Sequence, residues 1–191
     1  MSVPPIAKAT LQAAVINAGS NVLAQGIKAY RNDIPFELDL QALMQFTTCA
    51  FIVSPLNYVW LNSLEASFPG TTPSNAEESS KEKENDGAGP DSSKPALNIA
   101  NTIAKVVIDQ IIGGAWNTVL FTLTMGVLRG HNHAILLAQI REEFWPIMVA
   151  GFKLWPFVSV LNFTVVPVDQ RLLVSSLFGI VWAVYLSLIA G

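Results

Sequence analysis

The chain has 191 residues, of which 51% are hydrophobic and only 13% are charged. An ordinary soluble domain carries roughly 25% charged residues, so a chain with this few could not cover its surface in water. No basic patch is present to neutralise phosphates, which excludes a nucleic-acid partner. The single cysteine, Cys49, excludes an internal disulfide framework and a cysteine-based metal site. The composition therefore predicts an integral membrane protein whose main partner is the lipid bilayer.

Charged residues are spaced widely enough to leave apolar windows that can cross a bilayer. A helix needs about 20 residues to cross roughly 30 Å of hydrocarbon. The first window, residues 9–27, contains two Asn, two Gln and two Gly and predicts a helix packed inside a bundle, with its crossing of the membrane left open. Four later windows are rich in Leu, Ile, Val, Phe and Trp: residues 40–64, 97–128, 144–168 and 172–190. We therefore predict an all-α integral membrane helical bundle with four well-defined transmembrane helices and a weaker N-terminal helix.

A polar segment, residues 69–95, separates two hydrophobic halves. It holds six acids and three bases, and so carries the whole net charge of −3. With only two apolar residues, it predicts a disordered, solvated linker. The predicted division is residues 1–68 with two helices, this linker, and residues 96–191 with three helices. A tolerated loop insertion accounts for the linker more simply than regulation by serine phosphorylation does.

Targeting and orientation are not encoded in an obvious terminal signal. Pro4 and Pro5 precede a polar-interrupted stretch, which argues against a secretory signal peptide, and Arg31 is the first arginine, which argues against a mitochondrial presequence. The final residues are not a peroxisomal matrix address, so we expect any targeting signal to be internal. Lys and Arg in the loops divide five against four between the two sides, and the positive-inside rule assigns no orientation.

Polar residues inside the apolar windows are the candidate functional residues, because hydrocarbon leaves a polar group unsatisfied unless the bundle supplies a partner. In the first helix, Asn17, Asn21 and Gln25 recur every four residues and form one stripe. The stripe predicts either hydrogen bonds between helices or the wet wall of a pore. In a pore, it would face water together with the polar face around Lys105 and Asp109.

The third window carries a pair of opposite charges. Lys105 and Asp109 are four residues apart, hence adjacent on one helix face, and Gln110 follows them. Two such charges in an apolar helix are costly singly and tolerable together. We therefore expect Lys105 and Asp109 either to pair with each other or to line a polar cavity.

The fourth window contains two further polar residues and a proline. Lys153 is too far from the helix end to reach water easily, so we expect it to find a partner inside the bundle. Asn162 needs a partner for the same reason. Pro156 frees the carbonyl of Phe152 and predicts a bend in this helix.

No catalytic constellation is visible. The sequence lacks a Ser/His/Asp order, a Gly-rich phosphate loop and a paired-carboxylate pattern. His131 and His133, with Glu142 and Glu143 nearby, are the best candidate metal ligands, but two loop histidines alone are a weak signal. We expect no enzyme activity, no cofactor and no metal site.

A pattern of Trp, Pro and polar residues fills the last third of the chain. Its members are Trp145, Pro146, Lys153, Trp155, Pro156, Asn162, Phe163, Pro167, Arg171, Trp182 and Tyr185. This pattern closely resembles the C-terminal signature of the Mpv-seventeen family, which is also named after the twenty-two-kilodalton peroxisomal membrane protein. Upstream, Lys105, Asp109 and Gln110 resemble the family's K-x-x-x-D-Q, and Trp60 resembles the tryptophan of its second helix. The chain departs from the family pattern at Asn21, Tyr58, Ala115 and Ser159.

The resemblance implies a small all-helical integral protein of the peroxisomal membrane or of the mitochondrial inner membrane. It further implies a weakly selective channel, with small solutes or metabolites as permeants, and leaves homo-oligomerisation open. A non-conducting factor for organelle structure or homeostasis is the alternative. A pore should leave a continuous polar path in the bundle, whereas a scaffold should leave isolated hydrogen-bonded pairs.

Overall fold

A computed structural model describes residues 3–70 and 97–189, with side chains up to Tyr185. These residues are built mainly from six helices: α1, Pro5–Arg31; α2, Leu40–Ser67; α3, Ile99–Leu128; α4, His133–Gly151; α5, Trp155–Thr164; and α6, Arg171–Ile189. Almost all of the predicted linker lies outside the described residues, so its disorder and the three-part division of the chain stay predictions. The predicted all-α membrane bundle is confirmed.

Local sequence explains where several helices begin and end. Asp39, Asn98 and Asn132 precede α2, α3 and α4, and each accepts a hydrogen bond at its Oδ1 from the backbone N–H three residues later, at 2.9–3.0 Å. These contacts satisfy amides that lack a partner inside the helix. Gly130 follows α3 with a φ of 76°, a left-handed conformation that favours glycine.

The helix α3 is not uniform. Its residues Ile99–Ile108 and Gly114–Leu128 are α-helical, but Asp109–Gly113 between them form a π-helical turn. Such wide turns are rare and occur frequently at functional sites.

Within the described residues, three helices are long and apolar enough to cross a membrane: Leu40–Ser67, Ile99–Leu128 and Val168–Tyr185. A fourth crossing is formed if α4 and α5 count as one span, since they are bent by 57° across a short break. This confirms the bend predicted from Pro156. The helix α1 forms over its predicted window but is not among the candidate spans.

The helices pack in a chain of neighbours. The helix α1 lies against α2 and α6, α2 also contacts α3, and α4 packs against the C-terminal part of α3. Three small buried clusters join these elements: Ala9 and Ala13 with Leu172, Cys49 and Val53 with Met125, and Leu61 and Leu64 with Phe163. Many large apolar side chains point outwards, among them Leu137, Trp145 and Phe157. In water such a surface would promote association, whereas in a bilayer it contacts lipid tails.

Candidate functional site

Polar contacts join α2 and α3 along most of their length. We call this row the polar ladder, and its four rungs, in order along α3, are Glu65 with Lys105, Trp60 with Asp109, Asn57 with Asn117, and Gln45 with the carbonyl of Leu128. At about 1.5 Å per residue, the stretch of α3 from Lys105 to Leu128 is roughly 35 Å long. The polar ladder is therefore about as long as the hydrocarbon core of a bilayer is thick.

An ionic cluster forms the first rung and extends to α6. The Glu65 Oε2 atom accepts hydrogen bonds from Lys105 Nζ at 2.6 Å and from Arg171 Nη1 at 2.7 Å. Lys105 is fully buried and Arg171 is 5% exposed, whereas the Glu65 side chain keeps 23% of its surface exposed. One carboxylate thus holds two buried cations and joins α2, α3 and α6.

The ring of Phe163 lies against both cations. Its ring centroid is 5.2 Å from Lys105 Nζ and 5.1 Å from the guanidinium carbon of Arg171. The negative face of an aromatic ring attracts a cation, and the attraction grows when the pair is desolvated. The ring therefore supplies part of the solvation that burial removes from Lys105 and Arg171.

Asp109 is the centre of a second node, one helical turn along α3. Its Oδ1 accepts a hydrogen bond from Trp60 Nε1 at 2.9 Å, and its Oδ2 accepts a short one from the Ser159 hydroxyl. Gln110 Nε2 donates to Ser159 Oγ at 2.8 Å. Asp109 thereby links α3 to α2 and α5.

Two glycines allow the close approach at these rungs. A Cβ at Gly113 would lie 2.8 Å from both Asp109 Oδ1 and Trp60 Nε1. At Gly70 the backbone N–H donates to Glu65 Oε1 at 2.7 Å, and a Cβ would lie 2.9 Å from Lys105 Nζ. Since real Cβ contacts are longer than this, a side chain at either position would push a rung apart.

The prediction that Lys105 and Asp109 pair with each other is wrong. Lys105 Nζ bonds to Glu65, which lies on another helix, and Asp109 bonds to Trp60 and Ser159. Adjacency on one helix face brought the two residues to neighbouring rungs but not into contact.

This correction predicts the result of two double-mutant cycles. We expect Lys105→Met and Asp109→Ala to be nearly additive in the free energy of unfolding, because neither removes the other's partner. The coupling between Lys105→Met and Glu65→Leu should be larger by about 1–2 kcal/mol, because together they remove both ends of one buried contact. Unfolding of the detergent-solubilised protein measures both. A larger coupling between positions 105 and 109 would restore the original pairing.

The stripe on α1 does not join the residues of α3. Asn17 Nδ2 donates to the carbonyl of Ala13 on its own helix at 2.8 Å, and Gln25 Nε2 donates to Asn21 Oδ1 at 2.8 Å. Gln25 also exchanges two hydrogen bonds with the backbone of Asp39, the residue that caps α2. That the stripe would face water together with the polar face around Lys105 and Asp109 in a pore stays a prediction. The stripe fixes the connection between α1 and α2.

The two polar residues of the fourth window find partners on α6. Lys153 Nζ is 3.2 Å from the hydroxyl of Tyr185, which confirms the predicted bundle partner, although the lysine side chain itself is exposed. Asn162 Nδ2 donates to Ser175 Oγ at 2.8 Å. Its Oδ1 is the one buried side-chain polar atom of the described residues that lacks a partner.

The signature residues of the last third serve mainly in packing. Trp155 and Trp182 lie edge to face with centroids 6.1 Å apart, and Tyr185 stacks on Trp182 at 5.6 Å. Pro146 lies inside α4, and Pro167 immediately precedes the 3-10 turn before α6. Within residues 3–70 and 97–189, no three His, Cys, Asp or Glu side chains are grouped as a metal ion would require.

Sequence reasoning missed Glu65 and the pair of Asn57 and Asn117. Glu65 directly follows the predicted apolar window 40–64, and an acid near the end of a span is well placed to meet buried cations. Asn57 and Asn117 each donate and accept one hydrogen bond, at 3.1 and 3.0 Å. The signal that could have found them is an isolated Asn in each of two neighbouring apolar windows.

Comparisons with known proteins find related sequences. The profile of the Mpv17/PMP22 family matches residues 126–187. An Mpv17-like protein of Bos taurus is 31% identical over 131 residues, which cover 69% of this chain and 53% of that protein. Protein sym1 of Schizosaccharomyces pombe is 24% identical over 96% of this chain and 84% of its own length. PXMP2/4 family protein 3 of Dictyostelium discoideum is 25% identical over 97% of this chain and 84% of its own length.

The chain belongs to the Mpv17/PMP22 family. No solved structure is significantly similar to it. The aligned part spans about half of the bovine relative, 53% of its length, and most of the other two. Family membership supports both locations that the resemblance implies, the peroxisomal membrane and the mitochondrial inner membrane. It identifies the protein as a membrane-embedded helical bundle of the Mpv17/PMP22 type.

Proposed function

We propose that this Mpv17/PMP22-family protein is a weakly selective, non-enzymatic channel for small solutes in an organellar membrane, and that its permeation path follows the polar ladder. The observation that carries the proposal is the length of this row, since its rungs run along α3 for about the thickness of the hydrocarbon core. Charged groups at membrane depth are rare and are associated with ion and substrate pathways. The ionic cluster and Asp109 supply such groups at one end.

The described conformation corresponds to a closed channel in this proposal. The amides of Asn57 and Asn117 bond to each other at 3.0–3.1 Å, which leaves no room for a solute between them. Passage therefore requires α2 and α3 to move apart at this rung, with water taking over the hydrogen bonds of the separated amides.

A reversible lock between α2 and α3 tests the proposal. Cysteines placed at positions 57 and 117 in a Cys49→Ala background would be joined by a short bifunctional thiol reagent that is cleaved by reductant. In proteoliposomes we expect solute flux through the unlocked protein, loss of most of that flux after cross-linking, and recovery after reduction. A protein with only one of the two cysteines is the matched control and should keep its flux throughout.

The outcomes separate the alternatives. Flux that persists through the fully cross-linked protein would move the path away from the polar ladder. Proteoliposomes that remain silent with unlocked protein would contradict the channel itself and favour the second candidate.

The second candidate is a non-conducting factor for membrane structure or homeostasis. It is favoured by one specific observation, namely that every rung of the polar ladder is already hydrogen-bonded within the chain. Interhelical hydrogen bonds of this kind hold helices together in a bilayer. In that case the lock would stabilise the protein and change no transport property.

A further inference from the structure

One end of the polar ladder carries two formal negative and two formal positive charges. Glu65 binds both Lys105 and Arg171 through a single oxygen, at 2.6 and 2.7 Å. Asp109 contacts neither cation and is held by Trp60 and Ser159. The four charges therefore cancel as a group, although they do not form two separate pairs.

The other rungs add no charge to the path. Asn57, Asn117 and Gln45 are neutral amides, and the Leu128 group is a backbone carbonyl. Lys153 bonds to Tyr185 at the break between α4 and α5, away from the rungs. Among the rungs, the formal charges that a solute meets are therefore those of Glu65, Lys105 and Asp109, with Arg171 bound to Glu65, and the α-helical dipoles add to their potential.

Burial makes this balance sensitive to a single change. Lys105 is fully buried and Arg171 nearly so, and charges in a poorly solvated site act over longer distances than charges in water. Channels that discriminate by charge do so with an excess of one sign along the path. A path whose charges cancel lacks that means of discrimination.

Resting on the proposed channel function, we propose that Glu65, Lys105, Asp109 and Arg171 determine charge selectivity, and that their cancellation makes the path indifferent to the charge of a solute. Removing one of the four charges then produces a selectivity of defined sign. Loss of a carboxylate leaves an excess cation and favours anions. Loss of a cation leaves an excess carboxylate and favours cations.

Reversal potentials in planar bilayers under a KCl gradient test this inference. We expect the wild type to discriminate little between K⁺ and Cl⁻. Glu65→Gln and Asp109→Asn should raise the Cl⁻ over K⁺ permeability ratio by at least about threefold, and Lys105→Met should lower it by a similar factor. The paired variant Glu65→Gln/Lys105→Met restores the balance and should return to the wild-type ratio.

Controls keep each outcome decisive. Arg141→Gln removes a charge from the exposed surface of α4 and should leave the ratio unchanged. Asp109→Asn preserves the shape of the side chain, so it carries the sign test even if Glu65→Gln fails to fold, which size-exclusion chromatography reports. If the variants conduct with the wild-type Cl⁻ over K⁺ permeability ratio, or if all of them shift this ratio in the same direction, the inference about charge selectivity is wrong and the channel function stands. The absence of conductance in every protein would overturn the channel function and this inference with it.

Discussion

Replacing Glu65 by alanine is expected to cost the protein about 3–5 kcal/mol of unfolding free energy. The change removes the carboxylate that holds both Lys105 and Arg171, whose positions are almost inaccessible to water. Breaking a buried pair by removing one partner is strongly destabilising because an uncompensated charge stays behind. Here two cations are left behind, and they also repel each other. The partial exposure of Glu65 places the expected cost at the lower end of this range.

The stability of Glu65→Ala should be compared with that of a variant in which the whole ionic cluster is replaced by apolar residues. Glu65→Leu combined with Lys105→Met and Arg171→Leu removes all three charges, and should recover most of the loss, since well-packed apolar residues often replace buried ion pairs without penalty. Glu142→Ala, an exposed acid on α4, is the matched control and should change stability by less than about 0.5 kcal/mol. Unfolding in detergent measures all of these. A triple variant no more stable than Glu65→Ala would show that the cluster is needed for more than charge pairing.

Asp109→Ala is expected to have the second-largest effect, about 2–3 kcal/mol. Three side chains, those of Trp60, Gln110 and Ser159, direct hydrogen bonds to this carboxylate. Removing this acceptor leaves Trp60 Nε1 and the Ser159 hydroxyl without an acceptor, which costs about 1–3 kcal/mol for a buried donor, whereas Gln110 keeps its bond to Ser159. Water entering the space would reduce the loss.

Asp109→Asn separates the shape of this side chain from its charge. An asparagine can still accept from Trp60 through its oxygen and can donate to the Ser159 hydroxyl through its nitrogen. We therefore expect a loss below about 1 kcal/mol. Asp169→Ala, an exposed acid on the turn before α6, controls for the loss of a carboxylate elsewhere. If Asp109→Asn proved as unstable as Asp109→Ala, the negative charge rather than the hydrogen bonds would hold this node together.

Most of the fold could be predicted from the sequence, because a helix that crosses the apolar interior of a bilayer must itself be apolar. Twenty apolar residues without charge predict a span regardless of tertiary context, and the helices α2, α3 and α6 form where the windows predicted them. Pro156 predicted the bend because proline removes a backbone hydrogen bond and clashes with the preceding turn. The polar composition of residues 9–27 likewise indicated that α1 differs from the other helices, and it is not among the candidate spans.

The contacts of the site were much harder to predict. The sequence marks Lys105 and Asp109 as candidate polar residues, but their partners lie far away in sequence: Glu65 is 40 residues from Lys105, and Ser159 is 50 residues from Asp109. The spacing of residues within one helix shows which of them lie on the same side. It does not show which residues of other helices contact that side. The sequence marks Arg171 only as a signature position, although it bonds to Glu65, 106 residues earlier. Such pairings depend on the packing of α2, α3 and α6.

Because α3 contains the π-helical turn Asp109–Gly113, the number of its residues matters as well as their polarity. In a regular α-helix each residue turns the chain by about 100°, so Asn117, eight positions after Asp109, would be rotated by about 80° from it. The wide turn contains about one residue more than an α-helical turn. It therefore cancels the rotation of about one residue and returns Asn117 to the side of α3 that meets α2. In evolutionary terms the turn resembles a single-residue insertion that the helix has absorbed. The loss of one residue such as Ile111 would then leave the two halves of α3 in their present alignment, whereas the gain of one would turn Lys105 and Asp109 away from Glu65 and Trp60.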